Sequence, residues 1–461
     1  MFPEISDFDA AFDHNSVLHY VHRDRGNGDL MYSKYDTMLN SLTQIEAVVV
    51  APVPLQGPQL TVGISKILLS FRYRAIGMYS TIDGRYIYLD NDSLSNYMII
   101  GPDNGFMHNS WHNAVHTSAD QFLVSWATFE STMGPPDEGV RMRTLGEEMG
   151  ELTPAFINDT LGDVSSPTQL CYSPVSEVSF LTWSENRSVL YGQMVDVEGA
   201  LVGESFEVVN DTTLSELFYH KTIYLDSGDF VVFWVESGQP DWHLFSRKYN
   251  AQGIPISSKS RIDPDECVFW EFDVTRDSTG NMILIMSGRF PATSSIDIYA
   301  YKLDQSAEVV GDIYKITSSE PGQSRVGVKV LLHNDKVYTF WREELELWAN
   351  ISSYSNPPTA IHSMDISTPE SFLIHSAYPN PFNPSTTIEY ALHEQQTVTL
   401  NIFDVNGRIV RTTVNALQAP GLHEMVWNGT DNEGLQVSTG VYFARLQAGE
   451  YSSVVKMVYL K

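Results

Sequence analysis

Short apolar runs, each closed by one large side chain, recur along the first three-quarters of the chain. The last large residue of each run serves as an anchor: Tyr20, Phe71, Trp126, Trp183, Trp234, Met286 and Trp341, spaced 51, 55, 57, 51, 52 and 55 residues apart. A near-constant period of about 50 residues marks a repeat architecture, and propeller blades fall in this range. The run around the fifth anchor, Asp229-Phe-Val-Val-Phe-Trp-Val-Glu236, is apolar on both faces. A strand packed between two neighbouring sheets needs that pattern.

A second pattern follows each run. Leu190–Asp196, Leu244–Asn250 and Ile298–Asp304 align without gaps and end in Asp or Asn, often with a Gly close behind. The Asp or Asn side chain accepts local hydrogen bonds, and Gly adopts left-handed backbone at no steric cost, so these are hairpin ends. Tyr35-Asp36 and Ile82-Asp83-Gly84 are expected to end the matching strands of the first two units. Each unit thus predicts four strands. In the fifth they fall near 217–224, 230–235, 242–249 and 256–262. Helical periodicity is absent almost throughout. Residues 1–355 therefore predict an all-β, seven-bladed β-propeller built from four-stranded repeats. The third unit, with its insert 131–138, and the seventh, ending at Asn356-Pro-Pro, are the least regular. Six units, or an unclosed ring, also fit the spacing.

Residues 356–375 carry no repeat unit and read as a linker. From Ser376 the pattern changes. Tyr378-Pro-Asn-Pro-Phe-Asn-Pro384 places three prolines ahead of a strand, and each fixes φ and biases its predecessor toward extended backbone. Val398, Leu400 and Ile402 alternate with polar residues, and Val405-Asn-Gly-Arg408 reads as a tight hairpin turn. Further strands are expected at 409–414, 424–427, 441–446 and 453–460. Residues 376–461 thus predict a small immunoglobulin-like β-sandwich.

This segment resembles the type A C-terminal sorting domain of the bacterial type IX secretion system. The resemblance rests on residues 378–388, Asp404-Val-Asn-Gly407, Gly421-Leu-His423, Trp427-Asn-Gly429, 431–434, Ser438-Thr-Gly-Val-Tyr-Phe443 and the final Lys456-Met-Val-Tyr-Leu-Lys461. Carried over, the sorting motif comprises Pro379, Asn380, Pro381, Phe382, Asn383, Gly407, Trp427, Gly440, Tyr442 and Lys456. The resemblance implies export followed by passage through the type IX machinery, which reads this domain as a label. The expected destination is extracellular or the outer-membrane surface. It says nothing about the first 355 residues.

Composition narrows the partners. Lys and Arg total 28 against 57 Asp and Glu, a formal charge of −29, which disfavours nucleic acid and anionic membrane surfaces. No run reaches the roughly 18 apolar residues of a membrane helix. The start, Met1-Phe-Pro-Glu-Ile-Ser-Asp-Phe-Asp9, shows no export signal, a departure from the type IX route. Cys171 and Cys267 lie far apart with no metal-type spacing, and free thiols are expected over a disulfide.

Acids mark the loops after the second strands. Glu185, Glu236 and Glu343 each fall two residues after an anchor; Glu130, Asp137, Glu138, Asp241 and Asp297 belong to the same class of loop. A glycosidase needs one unique pair of carboxylates about 5–10 Å apart. An acid recurring at one offset reads as repeat grammar instead. His108, His112 and His116 are spaced for a helical zinc site, yet a strand is expected there, and His14, His19 and His22 form a looser group. Asp90-Asn-Asp-Ser93 and 428–433 are acidic turns that suit calcium only without a full EF-hand pattern, so no cofactor is expected. The reading leans away from an enzyme. It favours a secreted or surface binding and adhesion module, with Glu130, Glu185, Glu236, Asp241, Asp297 and Glu343 facing a glycan or protein ligand. The alternative is a secreted polysaccharide hydrolase using loop carboxylates; a second alternative is a scaffold fragment of a larger surface protein.

Overall fold

The computed structural model describes residues 8–460 apart from short stretches, the longest being 131–138, 147–154, 318–324, 356–362 and 366–372. The chain divides into two compact units, Met1–Met364 and Asp365–Lys461. No helix among the described residues is long and apolar enough to cross a membrane.

In the first unit, four-stranded meanders follow one another, the second and third joined into one eight-stranded sheet by a parallel bridge between Ser80 and His108. They are β1–β4 (Phe8–Phe12, Leu18–Arg23, Leu30–Tyr35, Glu46–Val49), β5–β8 (Leu55–Val62, Lys66–Arg74, Ser80–Tyr88, Met98–Gly101) and β9–β12 (Met107–His116, Phe122–Glu130, Gly139–Leu145, Ala155–Asp159). Next come β13–β16 (Gln169–Ser173, Val178–Glu185, Val189–Asp196, Leu201–Asn210) and β17–β20 (Glu216–Tyr224, Phe230–Ser237, Trp242–Tyr249, Ser260–Arg261). The last are β21–β24 (Val268–Arg276, Met282–Arg289, Asp297–Leu303, Val309–Lys315) and β25–β28 (Arg325–His333, Lys336–Glu343, Glu346–Ser353, Ser363–Asp365). The first strand of each meander lies against the first strand of the next, and β25 lies against β1.

Every anchor falls on the second strand of its meander and is buried. The doubly apolar pattern has a direct cause. On β18, Phe230, Val232 and Trp234 pack with Phe180, Leu190 and Met194 of the preceding meander. The alternate residues Val231, Phe233 and Val235 pack with Phe272, Met282 and Leu284 of the following one. With both faces covered, burial removes a full side chain from water at each position, about 1.5–3 kcal/mol apiece.

Two local expectations change. Ile82-Asp83-Gly84 lies inside β7 and does not end it. Gly84 answers to packing, because a Cβ there would meet Ile100 Cδ1 at 2.8 Å and the Leu69 carbonyl at 2.9 Å. The outer strand of the fifth unit is short, Ser260–Arg261, and Ile256 precedes it. The insert 131–138 and the segment from Asn356 lie outside the described residues.

The second unit holds β29–β35 (Leu373–Tyr378, Thr386–Leu392, Gln396–Asp404, Ile409–Gln418, Gly421–Trp427, Gly440–Ala448, Tyr451–Tyr459). Two sheets, β29-β30-β33 and β32-β31-β34-β35, enclose a core of Ile388, Val398, Leu400, Ile402, Trp427, Ala444, Leu446 and Met457. The expected turn before Ile409 is present: Asp404 Oδ1 accepts from the Arg408 amide at 3.0 Å, and Gly407 has φ +76°.

Candidate functional site

The first strands carry a register that the anchors define. On each, one polar residue pairs with the position just before the anchor. Gln59 pairs with Ser70, Asn113 with Ser125, Gln169 with Thr182, Lys221 with Phe233, Asp273 with Ile285 and Lys329 with Phe340. In the first meander Asp9 takes this place, opposite Val21. All of these residues line one cavity of about 230 Å³.

They form a polar collar. Lys221 Nζ meets Asp273 Oδ1 at 3.0 Å, and Lys329 Nζ meets Asp9 Oδ1 at 2.8 Å. The other carboxylate oxygens take amide N–H groups from the next first strand. The Leu60 amide donates to Asp9 Oδ2 at 2.8 Å, and the Val330 amide to Asp273 Oδ2 at 2.9 Å. Asn113 Oδ1 likewise accepts from the Leu170 amide at 2.7 Å, and Gln59 Nε2 donates to the His112 carbonyl at 2.8 Å. Adjacent first strands share no ladder with one another, so side chains satisfy backbone groups that would otherwise be unpaired.

Two residues earlier along these strands lies a second layer lining the same cavity: Gly57, Pro167, Tyr219, Glu271 and Gly327. Gly57 and Gly327 bring no side chain to it. Tyr219 and Glu271, on the adjacent strands β17 and β21, supply functional groups. Tyr219 sets its ring edge-on to Phe272 at 5.4 Å. Glu271 Oε1 accepts from the Gly327 amide. Burial pushes the Glu271 carboxyl up to about 7, against the pull of the Gly327 and Val328 amides and of Arg342. Burial, then the charges of Asp273 and Glu271, raises the Tyr219 phenol and keeps it protonated. Burial lowers His112 to about 4, so its imidazole is neutral. Burial also opposes the charge on Lys221, yet Asp273 and Asp9 hold its pKa above the ordinary value. Arg72 completes the cationic lining. Glu271 and Tyr219 thus put a carboxyl and a protonated phenol in the cavity lining.

The loop acids lie elsewhere. Glu185 accepts the indole N–H of its own anchor Trp183 at 3.0 Å, and Glu236 that of Trp234 at 2.7 Å. Glu236 also binds Lys259. Asp297 accepts from Ser295 at 2.8 Å and from Arg325 at 2.8 Å, and Glu343 pairs with Arg325 at 2.9 Å. None of these four lines the cavity. Glu130 ends β10, and Asp137, Glu138 and Asp241 lie outside the described residues.

The histidines are dispersed. His108, His112 and His116 all fall on β9, where four residues span about 13 Å. His112 lines the cavity, and His116 Nε2 meets Asp120 Oδ1 at 2.6 Å. His19 lies 3.3 Å from Asp13, and His22 stacks on Tyr20. Among the described residues no His/Cys/Asp/Glu group is arranged to hold a metal ion. The acidic turns are closed locally: Asn91 Oδ1 accepts from the Ser93 amide, and Asp431 Oδ1 from those of Glu433 and Leu435. Cys171 is a free thiol whose pKa burial pushes up to about 12; Cys267 lies outside the described residues.

In the second unit, Asn380 and Phe382 hold the last strand. Asn380 Nδ2 donates to the Lys456 carbonyl at 2.7 Å, and its Oδ1 accepts from the Val458 amide at 2.9 Å. The Phe382 ring lies 4.9 Å from Tyr459 and 5.3 Å from Trp427. Tyr442 is buried, and its hydroxyl donates to the Ser438 carbonyl at 2.6 Å. Gly440 opens β34, and Pro381, Asn383, Gly407 and the Lys456 side chain are at the surface. Pro379 lies outside the described residues.

Residues 383–455 match the FlgD Ig-like domain family. No curated protein matches the chain significantly. Solved structures share the fold at low identity. A puromycin hydrolase aligns at TM-score 0.52 and 9% identity, over 86% of this chain and 59% of its own. The BP39L lectin from Burkholderia pseudomallei aligns at 0.52 and 11%, over 79% of this chain and 100% of its own. An ulvan lyase, a polysaccharide lyase also solved bound to GlcA(1-4)Rha3S, aligns at 0.52 and 7%, over 79% of this chain and 97% of its own. The chain thus has a C-terminal Ig-like domain and an N-terminal all-β region distantly similar to propeller-containing enzymes. The expectation that leaned away from an enzyme is corrected. The fold is one that solved hydrolases and lyases carry. The sequence argument singled out the repeating loop acids and did not reach Glu271.

Proposed function

We propose that the first unit is a seven-bladed propeller whose axial cavity cleaves polysaccharide. One observation carries the reading: Glu271, with its carboxyl near pKa 7, and the protonated Tyr219 line the same cavity. The volume, about 230 Å³, lies below the roughly 300–1,000 Å³ of drug-sized sites, so it suits one sugar ring of a longer chain. The ulvan lyase supplies a precedent for polysaccharide cleavage on this fold. The test is a panel of neutral and acidic polysaccharides incubated with the full chain and with Glu271→Gln. Fragmentation by the wild type, reduced at least about 100-fold in the variant, supports the reading. Fragmentation that Glu271→Gln leaves unchanged places the site elsewhere, and retention without cleavage makes the protein a binder.

We also propose that the second unit directs passage through the type IX secretion machinery to the exterior or the cell surface. The proline-rich entry with Asn380 and Phe382 clamped on β35, the Trp427 core and the motif residues Lys456–Lys461 support this. Fusing residues 370–461 to an exported reporter in a type IX-competent host tests it. Release of the reporter is expected; retention in the periplasm rejects the assignment.

A further inference from the structure

We infer that Gln59, Asn113 and Gln169 form an amide wall of the cavity that holds an uncharged sugar ring by its hydroxyls. This rests on the polysaccharide-cleaving reading and names its substrate class, a neutral glycan. The first strands divide the collar by chemistry. The consecutive strands β5, β9 and β13 bring the amides, whereas β17, β21, β25 and β1 bring Lys221, Asp273, Lys329 and Asp9.

The amides are linked to one another and only partly used. Gln59 Nε2 donates at 2.8 Å to the carbonyl of His112, the residue before Asn113, which leaves Oε1 as an acceptor. Asn113 Oδ1 accepts at 2.7 Å from the amide of Leu170, the residue after Gln169, which leaves Nδ2 as a donor. Gln169 is 9% exposed and lines the cavity, yet among the described residues its side-chain amide has no hydrogen-bond partner. Buried polar groups are nearly always paired, so an open amide at a cavity wall fits a partner that enters the cavity. The wall offers an acceptor, a donor and a group that is both. A hydroxyl donates and accepts at once, and a sugar ring carries hydroxyls on neighbouring carbons. A peptide brings one donor and one acceptor per residue, and meets fewer of these groups in about 230 Å³.

The ionic strands argue against a charged ligand. Lys221 Nζ already meets Asp273 Oδ1 at 3.0 Å, and Lys329 Nζ meets Asp9 Oδ1 at 2.8 Å. Once Glu271 is ionised, Arg72, Lys221 and Lys329 balance Asp9, Glu271 and Asp273. A charged sugar has to compete with an ion already in place, and no net charge draws it in. A neutral ring has no such competitor.

The experiment is calorimetric titration of the full chain above the Glu271 midpoint of about 7. The ligands are tetramers of β-1,4-glucan, β-1,4-xylan, β-1,4-mannan and β-1,3-glucan, then tetragalacturonate and an uncharged alanine peptide. The proteins are the wild type, Gln169→Met, which keeps the side chain's length, and Gln169→Ala. A neutral tetramer should bind best, and both variants should weaken it at least about 10-fold. Because the Gln169 amide bonds nothing in the chain, the urea midpoint of Gln169→Met should not fall. Unchanged affinity in both variants, or a midpoint that falls with the affinity, overturns the amide wall and leaves polysaccharide cleavage standing. Tighter binding of tetragalacturonate, or binding of the peptide alone, overturns the substrate class. Neutral binding weakened by the variants, with no fragments from longer polymers, keeps this inference and rejects cleavage. No binding by any tetramer rejects the inference, whatever the longer polymers show.

Discussion

The indole N–H of Trp234 donates to Glu236 Oε1, 2.7 Å away and two residues further along the same strand. Trp183 and Glu185 repeat the relationship at 3.0 Å. In these two meanders the acid two residues after the anchor thus satisfies the polar atom of the buried ring it follows, whereas Glu343, two residues after Trp341, pairs with Arg325. Glu236→Ala leaves that N–H and Lys259 without their acceptor. The expected cost is about 2 kcal/mol, read as a lower urea midpoint at unchanged slope.

The collar predicts coupling. Lys221→Met or Asp273→Asn alone leaves a buried group without its partner and is expected to destabilise the first unit by about 3 kcal/mol. Combining Lys221→Met with Asp273→Asn should cost less than the two single changes together. Urea unfolding of the single and double variants measures the difference; strict additivity would show that the pair does not interact.

Glu271 predicts a pH signature in stability. Its folded pKa, about 7, lies above the ordinary 4.5. Between these values the folded carboxyl keeps a proton that the unfolded chain has lost, so this group's contribution declines as pH rises from about 4.5 to 7, by about 3 kcal/mol at most. Glu271→Gln removes the dependence. The variant's stability relative to wild type should therefore rise over that window, as measured by urea midpoints at successive pH values.

In the second unit, Phe382→Ala should cost about 3–5 kcal/mol, because the ring fills the space between Trp427 and Tyr459. Asn380→Ala should chiefly release the end of β35, seen as faster hydrogen exchange at the Val458 amide.

Much of the fold was legible because size and burial coincide on the second strands. Trp126, Trp183, Trp234 and Trp341 mark themselves by bulk, and both faces of those strands are apolar. The first strands were less legible. Each mixes apolar residues with one polar position, and the recurrence of Asp9, Gln59, Asn113, Gln169, Lys221, Asp273 and Lys329 at spacings of 50–56 residues shows only when their chemistry is allowed to vary. Register also hides from a reading by size. Asp9 pairs one residue beyond Tyr20, whereas its counterparts pair one residue before their anchors. Glu271 sits in Trp270-Glu-Phe-Asp273, which reads as ordinary strand alternation. Only the meeting of the first strands buries it against the Gly327 amide.

The most direct test of the account is an infrared difference titration of the wild type against Glu271→Gln. The carboxyl band that distinguishes them should lose its proton with a midpoint near 7. A difference band titrating with the ordinary carboxylates near 4.5 would contradict a buried, protonatable acid in the cavity and remove the basis for catalysis there.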